Sequence, residues 1–253
     1  MRKINLTNEN IKIVNFIKNY VNNAGMKKGI VGLSGGLDSS LIAHLCVESL
    51  GKENVIGVMM PYKSSSSASL EHGKLVAENL GIQYFIRDIS PMVDIYFDNF
   101  GRNADQLRRG NFMARVRMCV LYDISAKENA LVIGTGNKTE LYLGYCTQFG
   151  DSACAIEPIG HLYKNEVRKL SQELGVPQEI IDKKPTADLW EGQTDEDELG
   201  ISYETADKII YYLIDQKMNV EQIIPKGFSE KEIQLVKKLI IKSEFKRKMP
   251  PSP

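Results

Sequence analysis

Short, continuous apolar runs alternate along this chain with longer stretches whose apolar residues recur every three or four positions. Residues 7–24 set Ile11, Val14, Phe16, Ile17 and Val21 near helical spacing, behind Thr7 and Asn8 and ahead of Gly25, which predicts an amphipathic helix. Ile30, Val31 and Leu33 then form a first strand, and Leu37, Leu41, Ile42 and Leu45 a helix that stops at Gly51. Asn54–Met60 reads as a second buried strand ended by Pro61, and a helix through Leu80 leads to a third strand at Ile82–Ile89. Asn103–Glu128 reads as one long helix, Ala130–Gly134 as a fourth strand and Ala155–Ile159 as a shorter fifth. Helices follow at Tyr163–Leu174 and near Tyr203–Gln216 and Ser229–Ser243, before a tail that closes in prolines. The strands are uninterrupted apolar runs without polar alternation, the mark of a parallel sheet buried on both faces. The expected class is therefore α/β: a doubly wound, five-stranded parallel sheet with helices on both sides, plus C-terminal helices.

The first strand-to-helix junction carries the most chemistry. It reads GIVGLSGGLDSS, with Ser34-Gly35-Gly36 at the turn. Glycines allow a tight turn and close approach of backbone to a ligand, and free N–H groups at the start of a helix suit an anion such as a phosphate chain. The lysine of a GxxxxGK[ST] loop is absent, and Asp38 stands in the first helical turn instead. A carboxylate beside a polyphosphate repels it unless a hard cation such as Mg²⁺ bridges the two. A second junction of the same kind, Thr135-Gly136-Asn137-Lys138-Thr139-Glu140, follows the fourth strand. Lys63–Ser69 has the composition of a flexible surface loop, and the alternative is a ligand-binding loop, since it follows a strand's carboxyl end, where open α/β sheets bind ligands. The acidic stretch Lys184–Gly200, with the only tryptophan, is long for a loop, and Thr186–Gly200 within it is expected to act as a mobile lid.

Composition narrows the partners. The 253 residues hold 32 Lys+Arg and 32 Asp+Glu, so no global basic field draws in nucleic acid or an anionic membrane. Neither partner is expected. Cys46, Cys119, Cys146 and Cys154 form no CxxC pair and lie in or beside apolar segments, as reduced core thiols do. No apolar h-region and no run of membrane-spanning length occurs, and the cytoplasm is the expected compartment.

Taken in order, GLSGGLDSS, GNFMARVRM, GTGNKTELYLGY, FGDSACAIEPIGHLYKNEV, KPTADLW, DEDELGISY and FKRKMP closely resemble the ammonia-dependent NAD synthetases, members of the N-type ATP pyrophosphatases. The resemblance spans about residues 8 to 250. It implies an adenine nucleotide alpha hydrolase-like fold in a single domain over 1–253, with a nucleotide-binding core at 1–180 and the lid, C-terminal helices and tail at 181–253. It also implies a two-step ligation. The carboxylate of deamido-NAD attacks the α-phosphate of ATP and expels pyrophosphate. Ammonia then displaces AMP from the acyl adenylate to give NAD.

Matching positions carry the site. Gly32, Leu33, Ser34, Gly35, Gly36, Leu37, Asp38 and Ser39 are implied around the ATP phosphates, with Thr135, Lys164 and Thr186 as further ATP contacts. Asp38 and Glu140 are implied as Mg²⁺ ligands, and Arg115, Asp151 and Lys246 lie at positions on the deamido-NAD side. Asp38, Lys164 and Lys246 are the implied catalytic residues. Three positions depart from the common pattern: Gln148 for a lysine, Ala155 for an aspartate and Phe245 for the histidine of a His-Lys pair. All three are on the deamido-NAD side, so they bear on dinucleotide geometry and leave ATP use untouched. A homodimer is implied as well. Two other readings stay open from the motifs, a tRNA-modifying ATP pyrophosphatase and a non-catalytic ATP-binding module. Zero net charge and unpaired cysteines count against the first, and the retained pair Asp38 and Glu140 against the second.

Overall fold

The computed structural model describes residues 2–190 and 192–252. Glu191, inside the expected lid, and the two terminal residues of the expected 1–253 domain lie outside the described residues. In chain order the core elements are α1 (Leu6–Asn23), β1 (Lys28–Gly32), α2 (Leu37–Leu50), β2 (Val55–Met59), α3 (Ser67–Leu80) and β3 (Gln83–Ile86). They continue with α4 (Ser90–Phe100), α5 (Gln106–Glu128), β4 (Ala130–Ile133), α6 (Lys138–Leu143) and α7 (Lys164–Glu173). Then come the short helices α8 (Gln178–Asp182) and α9 (Asp195–Leu199), followed by α10 (Tyr203–Ile210), α11 (Val220–Ile223) and α12 (Glu230–Lys242).

The strands pair in the order β3-β2-β1-β4, and every pair is parallel. Successive side chains on each strand point to opposite faces, and each face has its own core. Val31, Val55, Met59 and Ile133 pack with α1, α2, α3 and α7. Ile30, Ile56, Val58 and Val132 pack with Val120, Leu121 and Ile124 of α5. A further core joins α6, α10 and α12 through Leu143, Ile209, Ile210, Ile233 and Val236. Among the described residues no helix is long and apolar enough to cross a membrane.

Among the described residues the sheet has four strands, not five. The expected fifth strand at Ala155–Ile159 shrinks to one parallel bridge, Ile133 to Ile156, held by Ala155 N–H donating to Val132 O and Gly134 N–H to Ile156 O. Pro158 has no N–H to extend the ladder, and the side chain of Glu157 turns back to accept the Gly136 N–H at 2.9 Å. The long helix starts at Gln106, where Asp105 accepts the Arg108 N–H at 2.7 Å as its cap. Periodicity hides α4, because apolar residues surround it: Val93 and Phe97 are buried while Met92, Ile95, Tyr96 and Phe100 stay exposed.

Because β1 has β2 on one side and β4 on the other, the chain reverses direction across the sheet at this pair. In open α/β sheets ligands bind outside the carboxyl ends of the strands at that switch point. Both glycine-containing junctions lie there.

Candidate active site

β1 runs into the phosphate-type loop with Leu33 N–H still donating to Val58 O at 2.9 Å. Gly35 then takes φ +70°, and a Cβ on it would stand 2.0 Å from Ser69 O in the first turn of α3. A non-glycine residue is thus barred twice, by conformation and by contact. Ser39 Oγ and Ser40 Oγ both donate to Gly36 O, at 3.1 and 2.7 Å, which ties the loop to the helix it opens. Among the described residues no side chain caps α2 at Gly36. Its first N–H groups are left for an anion, and the helix dipole favours one there.

Asp38 meets the second junction across the switch point. Asn137, fully buried, caps α6 by accepting Glu140 N–H at 3.0 Å, and donates from Nδ2 to Asp38 Oδ1 at 2.8 Å. Lys164, the first residue of α7, places its ammonium 2.5 Å from Asp38 Oδ2 and 2.9 Å from Glu140 Oε1. Burial opposes the charge on Lys164, yet the two carboxylates outweigh it and hold its pKa above the usual lysine range. Burial pushes the Glu140 carboxyl up to about 7, against the pull of Lys164. Tyr203 donates to Asp195 Oδ2 at 3.0 Å, and the buried Asp195 Oδ1 has no partner among the described residues.

The positions of Glu140 and Lys164 are locked together from behind. Thr139 Oγ1 accepts the Lys164 N–H at 3.1 Å and donates to Asp207 Oδ1 at 2.5 Å, while Asp207 Oδ2 accepts the Asn165 N–H at 2.9 Å. Asp207 thereby clamps the starts of α6 and α7, and burial pushes its own carboxyl up to about 6.

Two adjoining cavities open on this cluster. One, of about 220 Å³, is mainly apolar, with walls from Leu33, Val58, Met60, Met118, Leu121 and Val132. The other, also about 220 Å³, is the more polar of the two and is lined by Asp38, Glu140, Lys164, Lys183, Thr186 and Asp195. Ser34, Thr135 and Asp151 line both. The arrangement suits a flat apolar ring joined to a polyanion. Among the described residues no three His, Cys, Asp or Glu side chains converge as a metal cage. Two carboxylates suffice for Mg²⁺, which keeps several waters and takes further oxygens from phosphates, so Asp38 and Glu140 fit that ion.

A family model described as NAD synthase matches residues 9–250. The chain is 50% identical over 247 residues to the NH(3)-dependent NAD(+) synthetase of Fusobacterium nucleatum, covering 98% of this chain and 95% of that one. The chain belongs to the NAD synthase family. An NH3-dependent NAD synthetase from Campylobacter jejuni, solved in complex with the nitrate ion, superposes with a TM-score of 0.85 at 35% identity, over 99% of this chain and 100% of that one. An NMN synthetase from Francisella tularensis gives 0.89 at 31% identity, over 99% of both.

Within this NAD synthase fold, Gly32–Ser39 other than Gly35, which packs against Ser69, come together with Thr135, Glu140, Lys164, Thr186 and Asp151 around the two cavities. Two others do not. Arg115 is exposed and donates to Gln148 O at 3.3 Å, and Lys246 donates to Gly144 O and Cys146 O at 2.8 and 2.6 Å. Neither lines either cavity. Arg117, two residues from Arg115, does line the apolar cavity, with Nε donating to Met60 O at 2.9 Å. The serine loop also differs from a free surface loop. Ser65, Ser66 and Ser69 line the apolar cavity, and Ser66 N–H donates to Asp188 Oδ2 at 3.0 Å, across to the expected lid. Asn137, Asp195, Lys183 and Arg117 escape a reading by sequence because their relevance lies in partners far along the chain. The position of the serine loop just after a strand's carboxyl end was its one usable signal.

Proposed function

We propose that the chain works as an ammonia-dependent NAD synthetase: it adenylates deamido-NAD with ATP and amidates the adenylate with free ammonia. The observation that carries this is the cluster of Asp38, Glu140 and Lys164 set against the uncapped start of α2. A carboxylate resists amidation because its oxygen leaves poorly, and adenylation supplies a better leaving group. In the first step the carboxylate oxygen bonds to the α-phosphorus as the bond to pyrophosphate breaks. In the second, ammonia nitrogen bonds to the carbonyl carbon, the bond to AMP breaks, and nitrogen loses a proton. The apolar cavity takes the adenine, and the α2 amides and Lys164 hold phosphate oxygens and the charge that develops on them. Asp38 and Glu140 would hold Mg²⁺, which supplies Lewis-acid stabilisation of the phosphate oxygens. Arg115, Asp151 and Lys246 are assigned to the dinucleotide side, Lys246 through the backbone of residues 144–146 that it supports. The strand order and the switch-point site support reading the fold as that of the doubly wound adenine nucleotide alpha hydrolases.

The proposal extends to a homodimer in the cytoplasm. On α4, Met92, Ile95, Tyr96 and Phe100 share one face at helical spacing, with Ile95 65% and Phe100 73% exposed. Contiguous exposed apolar surface of this kind marks an interface. Sedimentation at micromolar concentration should give a dimer, and a monomer there would refute it.

The decisive assay follows pyrophosphate and NAD together, with ATP, Mg²⁺ and ammonium, in the presence and absence of deamido-NAD. NAD appearing one-for-one with pyrophosphate is the expected result. Pyrophosphate release indifferent to deamido-NAD would remove the proposed substrate. A parallel arm with nicotinic acid mononucleotide separates dinucleotide from mononucleotide use, since the structurally similar Francisella tularensis protein is named for NMN.

A further inference from the structure

Three segments converge on the ammonium of Lys183. It donates to Gly35 O in the phosphate-type loop at 3.3 Å and to Ser69 Oγ in the first turn of α3 at 2.9 Å. Its own backbone leaves α8 and opens the stretch Lys183–Trp190 that borders both cavities through Thr186 and Asp188. Both of its hydrogen-bond partners are neutral oxygens, and among the described residues it forms no ion pair. Burial lowers its pKa, with Asp188 opposing from beyond ion-pair distance.

The contrast with Lys164 is informative. The charge of Lys164 is matched by two carboxylates in direct contact. The polar cavity also holds Asp151 and Asp195, so a triphosphate entering it meets more negative charge than Lys164 offsets. Arg168, another cation on its wall, donates to Ile181 O at 2.6 Å. Lys183 is a half-buried cation whose partners can be exchanged for phosphate oxygens without uncovering a carboxylate. It lines the polar cavity and not the apolar one, so it lies at the end of the site away from the base.

We propose that Lys183 is a phosphate-binding residue of this site: it grips the β- and γ-phosphoryl oxygens of ATP, the portion that leaves as pyrophosphate, and ties the Lys183–Trp190 segment to the phosphate loop. The inference rests on the reading that ATP is split to AMP and pyrophosphate here. The full-length protein, wild type and the variants Lys183→Met and Lys183→Arg, is titrated calorimetrically with three probes in the presence of Mg²⁺: AMP, inorganic pyrophosphate and ATP. Loss of a charged hydrogen bond should weaken pyrophosphate and ATP about 10- to 100-fold in Lys183→Met. AMP, which lacks the leaving portion, should bind as before, and Lys183→Arg should recover most of the loss. A merely structural lysine would weaken AMP and pyrophosphate alike and lower the melting temperature, which overturns the proposal. Unchanged pyrophosphate and ATP affinity in Lys183→Met overturns it as well. Failure of the underlying reading shows elsewhere, as wild-type protein that releases no pyrophosphate in the presence of deamido-NAD and ammonium.

Discussion

Lys164 balances one positive charge against two carboxylates in a place with little water, and this sets the energetics of the site. Breaking a buried ion pair by deleting one partner costs about 3–5 kcal/mol, because the remaining charge is uncompensated. Lys164→Met should therefore lower stability on that scale in denaturant unfolding. Adding Glu140→Gln should restore part of it, since one of the two stranded charges is then gone. Strict additivity of the two changes would show that the residues do not interact. Asp38 stood out in the sequence because a carboxylate in the first turn of a glycine-led helix is chemically odd without a cation, whereas Glu140 followed only from the resemblance to the family pattern. Asn137, which hydrogen-bonds Asp38 across 99 residues, was not legible. Nothing in a buried asparagine's neighbours says which distant group it will meet.

Helix starts do most of the positioning at the scale of elements. α6 and α7 bring Glu140 and Lys164 within reach of each other because Asp207, on α10, binds both of their N-termini. α9 is only five residues long and depends on Thr194, whose side chain accepts the Asp197 N–H as the cap. Isolated helices this short do not hold by propensity alone, and removal of a cap costs about 1 kcal/mol. Thr194→Ala should thus speed proteolysis within Thr186–Gly200 while leaving global melting nearly unchanged, and ATP plus deamido-NAD should slow cleavage in both proteins. Cleavage rates equal with and without ligands would refute a mobile lid. Patterns of apolar residues located β1, α2, β2 and α3 closely. The fifth strand failed because a run with strand composition still needs successive free N–H groups, which Pro158 interrupts.

At the scale of the molecule, buried carboxylates make stability depend on pH. Burial holds Glu157 up at about 7, where an unfolded glutamate titrates near 4.5. The folded chain binds more protons than the unfolded one between those values. The associated stability is complete below about pH 4.5 and is lost as pH rises through about 7. Glu157→Gln keeps an acceptor for the Gly136 N–H but does not titrate. Its stability, followed by melting temperature, should fall less between pH 5.5 and 8 than that of the wild type, by about 2 kcal/mol in unfolding free energy. Parallel pH profiles for the two proteins would exclude Glu157 as the source.

The sequence by itself determined the local devices: the buried strands β1, β2 and β4, a glycine turn feeding a helix, and an acid in the first turn of that helix. Each depends on residues adjacent in the chain, so periodicity and composition suffice to reveal them. The strand order β3-β2-β1-β4, the meeting of Asp38 with Glu140 and Lys164, and the contact of Lys183 with Gly35 and Ser69 were decided only by the tertiary structure. They join groups 24 to 148 residues apart. Which of those pairs form depends on how the two faces of the sheet are covered, a property of the packed whole that no single stretch contains.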